Sequence, residues 1–171
     1  METSHTFAGN PLDRAERERR DEAWIEAALR DSSSLFLPFY KLDVPLTKSS
    51  HPVLGWLTSN QLWSSAPHAD PLLLGNIDAT AHFAVDLSNY PTVIDWIKNN
   101  LGWKFENCRT AGGLLTVSET GILAQGRSQI DWHTRHGFCS VCGSPTVKTR
   151  GGQARQCLDC KTDHFPRTDP V

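Results

Sequence analysis

The sequence predicts an α+β fold in two parts, and three observations carry that prediction. Four short apolar runs split by turn formers occupy residues 35–87, which is strand-and-turn spacing. Helical apolar patterns flank them, over residues 10–30 and 116–136. Two CxxC pairs, Cys139-Ser-Val-Cys142 and Cys157-Leu-Asp-Cys160, then stand fourteen residues apart near the C-terminus. That pattern marks a small ribbon closed by its cysteines, following a domain with its own core.

In chain order, Asn10 can cap a helix, Pro11 suits the first helical position and Asp13 favours the positive end of the dipole, so a helix is expected over 10–30. Its charge run, Arg14 to Glu22, reads as a solvated face laced with ion pairs. Asp21 is placed to restart the helix, with Trp24, Ile25, Ala28 and Leu29 as its apolar stripe. The runs Leu35–Tyr40, Val53–Leu57, Pro71–Gly75 and His82–Leu87 predict the strands of a meandering sheet. Pro91–Lys98 predicts a short helix with Val93, Ile94 and Ile97 on one side. Trp56, Trp63, Trp96 and Trp103 are expected in the core, and Cys108 is expected as a small buried apolar group. Thr116 and Glu119 have capping-box spacing for the long helix, and Gly137 suits a left-handed cap at its end.

Composition narrows the class. Of 171 residues 39% are hydrophobic, with six Trp and seven Phe, which is enough for one mid-sized core. A net charge of −2 argues against a general nucleic-acid binder. No apolar run approaches the roughly 20 residues of a membrane span, and the N-terminus lacks a signal-peptide layout. A soluble, cytoplasmic protein is the expectation.

Four thiolates from two tight turns suit a tetrahedral zinc ion, and cysteines in a reducing compartment more often hold metal than form disulfides. Gly143, directly after Cys142, permits a turn that aims backbone amides at the sulfurs. Residues 144–156, with Pro145 and Gly151-Gly152, predict the hairpin joining the two knuckles. With Cys139, Cys142, Cys157 and Cys160 all bound, no position stays open for water, so this zinc would be structural. Residues 138–167 carry five basic and two acidic side chains. A zinc ion with four thiolates adds a charge of −2, which leaves a local field too weak for an independent nucleic-acid ribbon.

Three segments then become recognisable: Ala124-Gln-Gly-Arg-Ser-Gln-Ile-Asp-Trp-His133, Phe138-Cys-Ser-Val-Cys-Gly-Ser-Pro145 and His164-Phe-Pro-Arg-Thr-Asp-Pro170. With the second knuckle they resemble the NAD(H) diphosphatases of the Nudix superfamily. Phe7–Arg14 looks like that family's opening segment, and Phe83–Leu87 resembles a late strand of its N-terminal domain. The resemblance implies a rudimentary Nudix-like domain over 1–115, a connecting helix over 116–137, a zinc ribbon over 138–166, and the start of a Nudix catalytic domain at 167–171. It also implies a homodimer that splits the pyrophosphate of NADH, NAD⁺ or NAD-capped RNA, using Mg²⁺ or Mn²⁺. By the same resemblance the four cysteines are zinc ligands, Phe165 lines the nicotinamide end of the substrate, and Arg109 contacts substrate. The hairpin stretch Gly151-Gly-Gln-Ala-Arg155 lacks the acidic residue the family often places there.

The superfamily's catalytic motif, a glycine-led loop and helix with clustered glutamates, is absent. No two glutamates are adjacent, and Glu16 and Glu18 read as exposed helix charges. The expectation is therefore an N-terminal and ribbon portion that does not hydrolyse NADH alone. The alternative is a non-catalytic zinc-binding module for dimerisation or nucleotide or nucleic-acid binding. A peroxisomal address, if one exists, would lie beyond Val171.

Overall fold

The computed structural model describes residues 7–167. Its centre is a four-stranded sheet in which both faces are buried. The strands are β1 (Leu35–Phe39), β3 (Leu57–Thr58), β4 (Leu72–Ile77) and β5 (Thr80–Asp86), in the order β3-β1-β5-β4. β1 and β5 run parallel, with Leu35 opposite His82 and Phe39 opposite Asp86, while the outer pairings are antiparallel. The sheet is therefore not the simple meander expected. The chain leaves β1 through β2 (Val44–Leu46), which pairs instead with β6 (Lys104–Glu106), returns along one edge of β1 as the short β3, and reaches the other edge as β5 only after β4. The reason lies in side-chain patterning: β1 and β5 are near-continuous apolar runs, and such strands suit the doubly covered centre of a sheet.

Alternate residues divide between two cores. Phe36, Leu73, Phe83 and Val85 face one cluster, where the rings of Phe36 and Phe83 stack with centroids 5.2 Å apart. Leu37, Phe39, Leu72, Leu74 and Ala84 face the other. Each fully buried side chain of this size contributes roughly 1.5–3 kcal/mol. The first cluster is covered by α1 (Glu22–Arg30), α2 (Ser59–Ser65) and α3 (Pro91–Trp96). The second is covered by α5 (Val117–Arg135), through Ile122, Leu123 and Ile130, with α4 (Cys108–Gly112) beside it. Trp63, Trp96 and Trp103 pack on the first cluster, and Trp56 and half-buried Cys108 on the second, as their apolar character predicts.

The helix expected over 10–30 forms only in its second half. Asp21 caps α1, accepting from the amides of Ala23 and Trp24. Upstream, Asp13 instead pairs with Asn76 on the edge of β4, and Ala15 takes a left-handed turn. Leu12 and Ala15 bury in opposite clusters, which an extended segment allows and one helix face does not. The side chain of Asn10 starts no helix: its Oδ1 accepts from the Leu12 amide, and its Nδ2 donates to the Gly121 carbonyl and to Gln125 Oε1 on α5. The charge run is not uniformly solvated either. Glu16 and Arg20 form the exposed ion pair expected, at 2.6 Å, but Arg19 is only 2% exposed.

α5 begins at its capping box. The Thr116 hydroxyl accepts from the Glu119 amide, and Glu119 Oε2 accepts in return from the Thr116 amide and hydroxyl. Glu119 Oε1 also accepts from the Leu54 amide at 3.0 Å, so one carboxylate ties the helix start to the strand loops. At the other end Gly137 is not left-handed; its carbonyl accepts from the Thr146 amide at 3.0 Å, which leads the chain directly into the ribbon. Among the described residues no helix is long and apolar enough to cross a membrane. Thr168–Val171, most of the segment expected to begin a catalytic domain, lie outside the described residues.

Candidate metal centre

The ribbon is a three-stranded antiparallel sheet of β7 (Thr146–Thr149), β8 (Ala154–Cys157) and β9 (Asp163–His164). Its two knuckles repeat one backbone design. The Cys139 amide donates to the Ser144 carbonyl and the Cys157 amide to the Thr162 carbonyl, each five residues on. The Val141 amide donates to Cys139 Sγ and the Asp159 amide to Cys157 Sγ, both at 3.4 Å. After the second cysteine of each knuckle the backbone turns left-handed, at Gly143 (φ 81°) and at Lys161 (φ 61°). Gly143 meets this requirement without strain; Lys161 meets it at a cost of about 1 kcal/mol or more.

These turns bring the sulfurs of Cys139, Cys142, Cys157 and Cys160 within 4.8 Å of one another. Two of the separations are 3.6 Å (Cys139–Cys160) and 3.4 Å (Cys142–Cys157). A disulfide needs about 2.05 Å, and all four cysteines are free thiols. Tetrahedral ligands about 2.3 Å from one zinc ion lie roughly 3.8 Å apart, which fits the cluster. Cys139 and Cys157 are buried, while Cys142 and Cys160 face solvent.

The electrostatics favour a cation. The backbone amide and hydroxyl of Ser144 bond the Cys142 sulfur and hold its pKa down to about 6. The Thr162 hydroxyl and amide lower Cys160 in the same way. Burial pushes Cys157 up to about 11, and a cation among the sulfurs would favour its thiolate. His164 Nε2 stands 3.3 Å from Cys139 Sγ, as an outer partner to the sulfur set. These supporting residues were not singled out from sequence. The repeated hydroxyl two residues past each knuckle, Ser144 and Thr162, was a signal that could have found two of them.

The ribbon is seated on the larger domain through hydrogen bonds to α5 and to the start of β4. The guanidinium of Arg155 donates from Nη1 to His133 Nδ1 at 2.9 Å, and from Nε and Nη2 to Thr146. Arginine only donates, so His133 carries its proton on Nε2, which donates to the Gly152 carbonyl at 2.7 Å. Lys148 reaches Asp70 and the Pro71 carbonyl just before β4. Burial and the neighbouring Arg155 hold the His133 imidazole below its ordinary value, although its bond to Gly152 opposes them.

The two other residues expected to contact a substrate are not brought together. Phe165 is 51% exposed, lies under the Arg150 guanidinium at 5.3 Å, and borders a cavity of about 900 Å³ between the N-terminal segment and α5. Arg109 is exposed on α4 and borders a separate depression with Lys41, Asp43 and Arg127.

Comparison with known proteins agrees with both halves of this architecture. Residues 33–132 match the family described as NADH pyrophosphatase-like rudimentary NUDIX domain, and residues 134–165 match the NADH pyrophosphatase zinc ribbon domain. An NAD-capped RNA hydrolase of Schizosaccharomyces pombe is 27% identical over 212 aligned residues, which cover 98% of this chain and 56% of that protein. An NAD-capped RNA hydrolase of Homo sapiens is 42% identical over 65 residues, covering 33% of this chain and 14% of that protein. A mitochondrial NAD(P)H pyrophosphatase of Mus musculus is 34% identical over 71 residues, covering 42% and 20%. The chain thus spans about half or less of the length of these relatives.

Proposed function

We propose a function from one premise: the chain belongs to the NADH pyrophosphatase-like Nudix family. In this reading it supplies the rudimentary N-terminal domain (1–115), connecting helix (116–137) and zinc ribbon (138–166) of an NAD(H) diphosphatase. The proposed substrate is the pyrophosphate of NADH, NAD⁺ or NAD-capped RNA; the relatives are named for NAD-capped RNA and NAD(P)H. The observation that carries the reading is the convergence of four thiols within 4.8 Å, in a ribbon seated on that domain.

Cys139, Cys142, Cys157 and Cys160 are the proposed zinc ligands. Zinc bound there would cross-link the two knuckles and supply folding free energy, with all four ligand positions taken by sulfur. Phe165, exposed and with one ring face under the Arg150 guanidinium, is the proposed contact to the nicotinamide end. Arg109 lies in a different depression, so a contact from it would reach another part of the ligand. Exposed Phe138, Val141 and Leu158 around the knuckles favour a second copy packing there as a homodimer.

Hydrolysis itself requires Mg²⁺ or Mn²⁺ held by oxygen ligands. Among the described residues, the group of three or more candidate metal-binding side chains within reach of one another is the cysteine set. Thiolates at zinc spacing do not fit those hard cations. Residues 1–171 contain no Nudix box, and on this reading they do not turn over NADH alone. Incubating the pure protein with NADH and Mg²⁺ or Mn²⁺, followed by chromatography for nicotinamide mononucleotide, tests this; clear turnover overturns it. Titration with NAD⁺ separates a binding module from a purely structural one.

A further inference from the structure

We infer that His133 is a pH-operated latch between the ribbon and the N-terminal domain: when its ring takes up a second proton, the β7–β8 turn lifts off α5 while the cysteine cluster stays closed. Both ring nitrogens of this α5 residue are committed to the ribbon. Nε2 donates to the Gly152 carbonyl at 2.7 Å, and Nδ1 accepts from Arg155 Nη1 at 2.9 Å. Only the neutral ring protonated on Nε2 makes both bonds. A proton on Nδ1 sets one N–H against another and places two cations in contact.

Arg155 cannot turn aside. Its Nε and Nη2 donate to the hydroxyl and the carbonyl of Thr146, at 2.7 and 2.8 Å, and that hydroxyl donates in turn to the His136 carbonyl. These bonds fix the guanidinium plane, and arginine does not give up its proton. No carboxylate answers the charged ring either. Asp70, before β4, is bonded to Lys148 of β7, and Asp86 of β5 accepts from the amide and hydroxyl of Ser88. His68 and Tyr90 border the same cavity of about 320 Å³ and bring no negative charge to it. On α5 itself Asp131 pairs with Arg135, and His136 stacks on Trp132. His133 is half-buried and borders that cavity along the joint, so a proton reaches the ring without global unfolding.

The response is local because of where the turn sits. It joins Thr149 to Ala154, whereas Cys157 lies at the far end of β8, opposite Thr146. The turn rests on the domain where Gly151 and Gly152 approach Ile25, Leu72 and Leu73. Its release uncovers those side chains and leaves the knuckle bonds in place. Burial first, then Arg155 and Lys148, hold the ring below the ordinary histidine value, against its bond to Gly152. The seated turn is therefore fully favoured above about pH 6.5 and loses stability as pH falls below it. One proton sets the slope, so the opening equilibrium rises by up to about tenfold per pH unit. The latch stands apart from the hydrolase reading, because every group it uses lies in this chain.

The test is amide hydrogen exchange of the zinc-loaded protein between about pH 7.5 and 5.5, expressed as protection factors, with bound zinc measured in the same samples. Protection in the β7–β8 turn should fall by up to about tenfold per pH unit below about pH 6.5. β1 and β5 should keep their protection, and zinc should stay bound. His133→Gln supplies a carboxamide that can bond both Arg155 and Gly152 and does not titrate, so its β7–β8 protection should not change with pH. His136→Gln, at the end of the same helix, should keep the parent's response. Flat β7–β8 protection in the parent protein, a loss that only tracks zinc release, or an unchanged response in His133→Gln overturns the inference. The first two results need no variant, so they decide the matter even where His133→Gln does not fold.

Discussion

Replacing Gly152 with alanine tests how closely the ribbon packs against Leu72 of the N-terminal domain. Gly152 closes the turn between β7 and β8 with φ 93°, a conformation that costs a residue with a Cβ about 1–2 kcal/mol. The new methyl group would also stand 2.6 Å from Leu72 Cδ2 and 3.2 Å from Leu72 Cβ, well inside the roughly 3.5–4.0 Å of a favourable carbon contact. Leu72 is 3% exposed and part of the second cluster, so it has little room to yield. Overpacking of this kind costs about 1–3 kcal/mol. Together the two terms predict a loss of about 2–5 kcal/mol. Gly102→Ala is the matched control: its φ is 67°, but no atom lies within 4 Å of the added Cβ, so only the backbone cost of about 1–2 kcal/mol applies. Urea unfolding followed by tryptophan fluorescence, with zinc present, measures both. If Gly152→Ala is no more destabilising than Gly102→Ala, the steric argument fails and the ribbon is not seated on Leu72.

Serine at any one of Cys139, Cys142, Cys157 or Cys160 should lower bound zinc from about one ion per chain to near none, as read by a metal-release assay with a chromogenic chelator. Chelation of the parent protein should remove hydrogen-exchange protection from β7–β9 while leaving β1 and β5 protected, because the ribbon has little apolar core of its own. Lys161→Gly should stabilise the zinc-loaded ribbon by about 0.5–1 kcal/mol, the left-handed strain relieved less the added freedom of the unfolded chain; a loss of thermal stability would contradict this. Burial is the largest effect holding both His82 and His133 below the ordinary histidine value of about 6.5. The unfolded chain then takes up those protons first, so stability is full above about pH 6.5 and falls as pH drops through it. His133→Gln should flatten that acid slope in denaturation curves measured between about pH 7 and 5.

Local signals were legible wherever a feature was settled within a few residues. The Thr116–Glu119 capping box, the Asp21 cap, the left-handed turn at Gly143 and the hairpin over 144–156 all follow from short-range geometry, and all are present. Features decided by distant partners were not legible. Asn10, Pro11 and Asp13 satisfy every local rule for a helix start, yet the bonds of Asn10 to α5 and of Asp13 to β4 outweigh them. Arg19 reads as one charge in a solvated run, because its burial depends on a β4 irregularity more than fifty residues away. The parallel pairing of β1 and β5 was hidden for the same reason, since apolar character marks a central strand without naming its neighbour. The four sulfurs were readable as a set; the joint of His133, Arg155 and Gly152 that orients them against the domain was not.

The unequal burial of the four sulfurs bears on how such a centre would be loaded and lost. Cys139 and Cys157 are shielded, whereas Cys142 and Cys160 stand at the surface, one in each knuckle. An incoming thiol, chelator or oxidant therefore meets one accessible sulfur from each half of the ribbon before it meets either buried one. Metal exchange would proceed stepwise from the outer pair, with the inner pair holding the ion in a half-open intermediate.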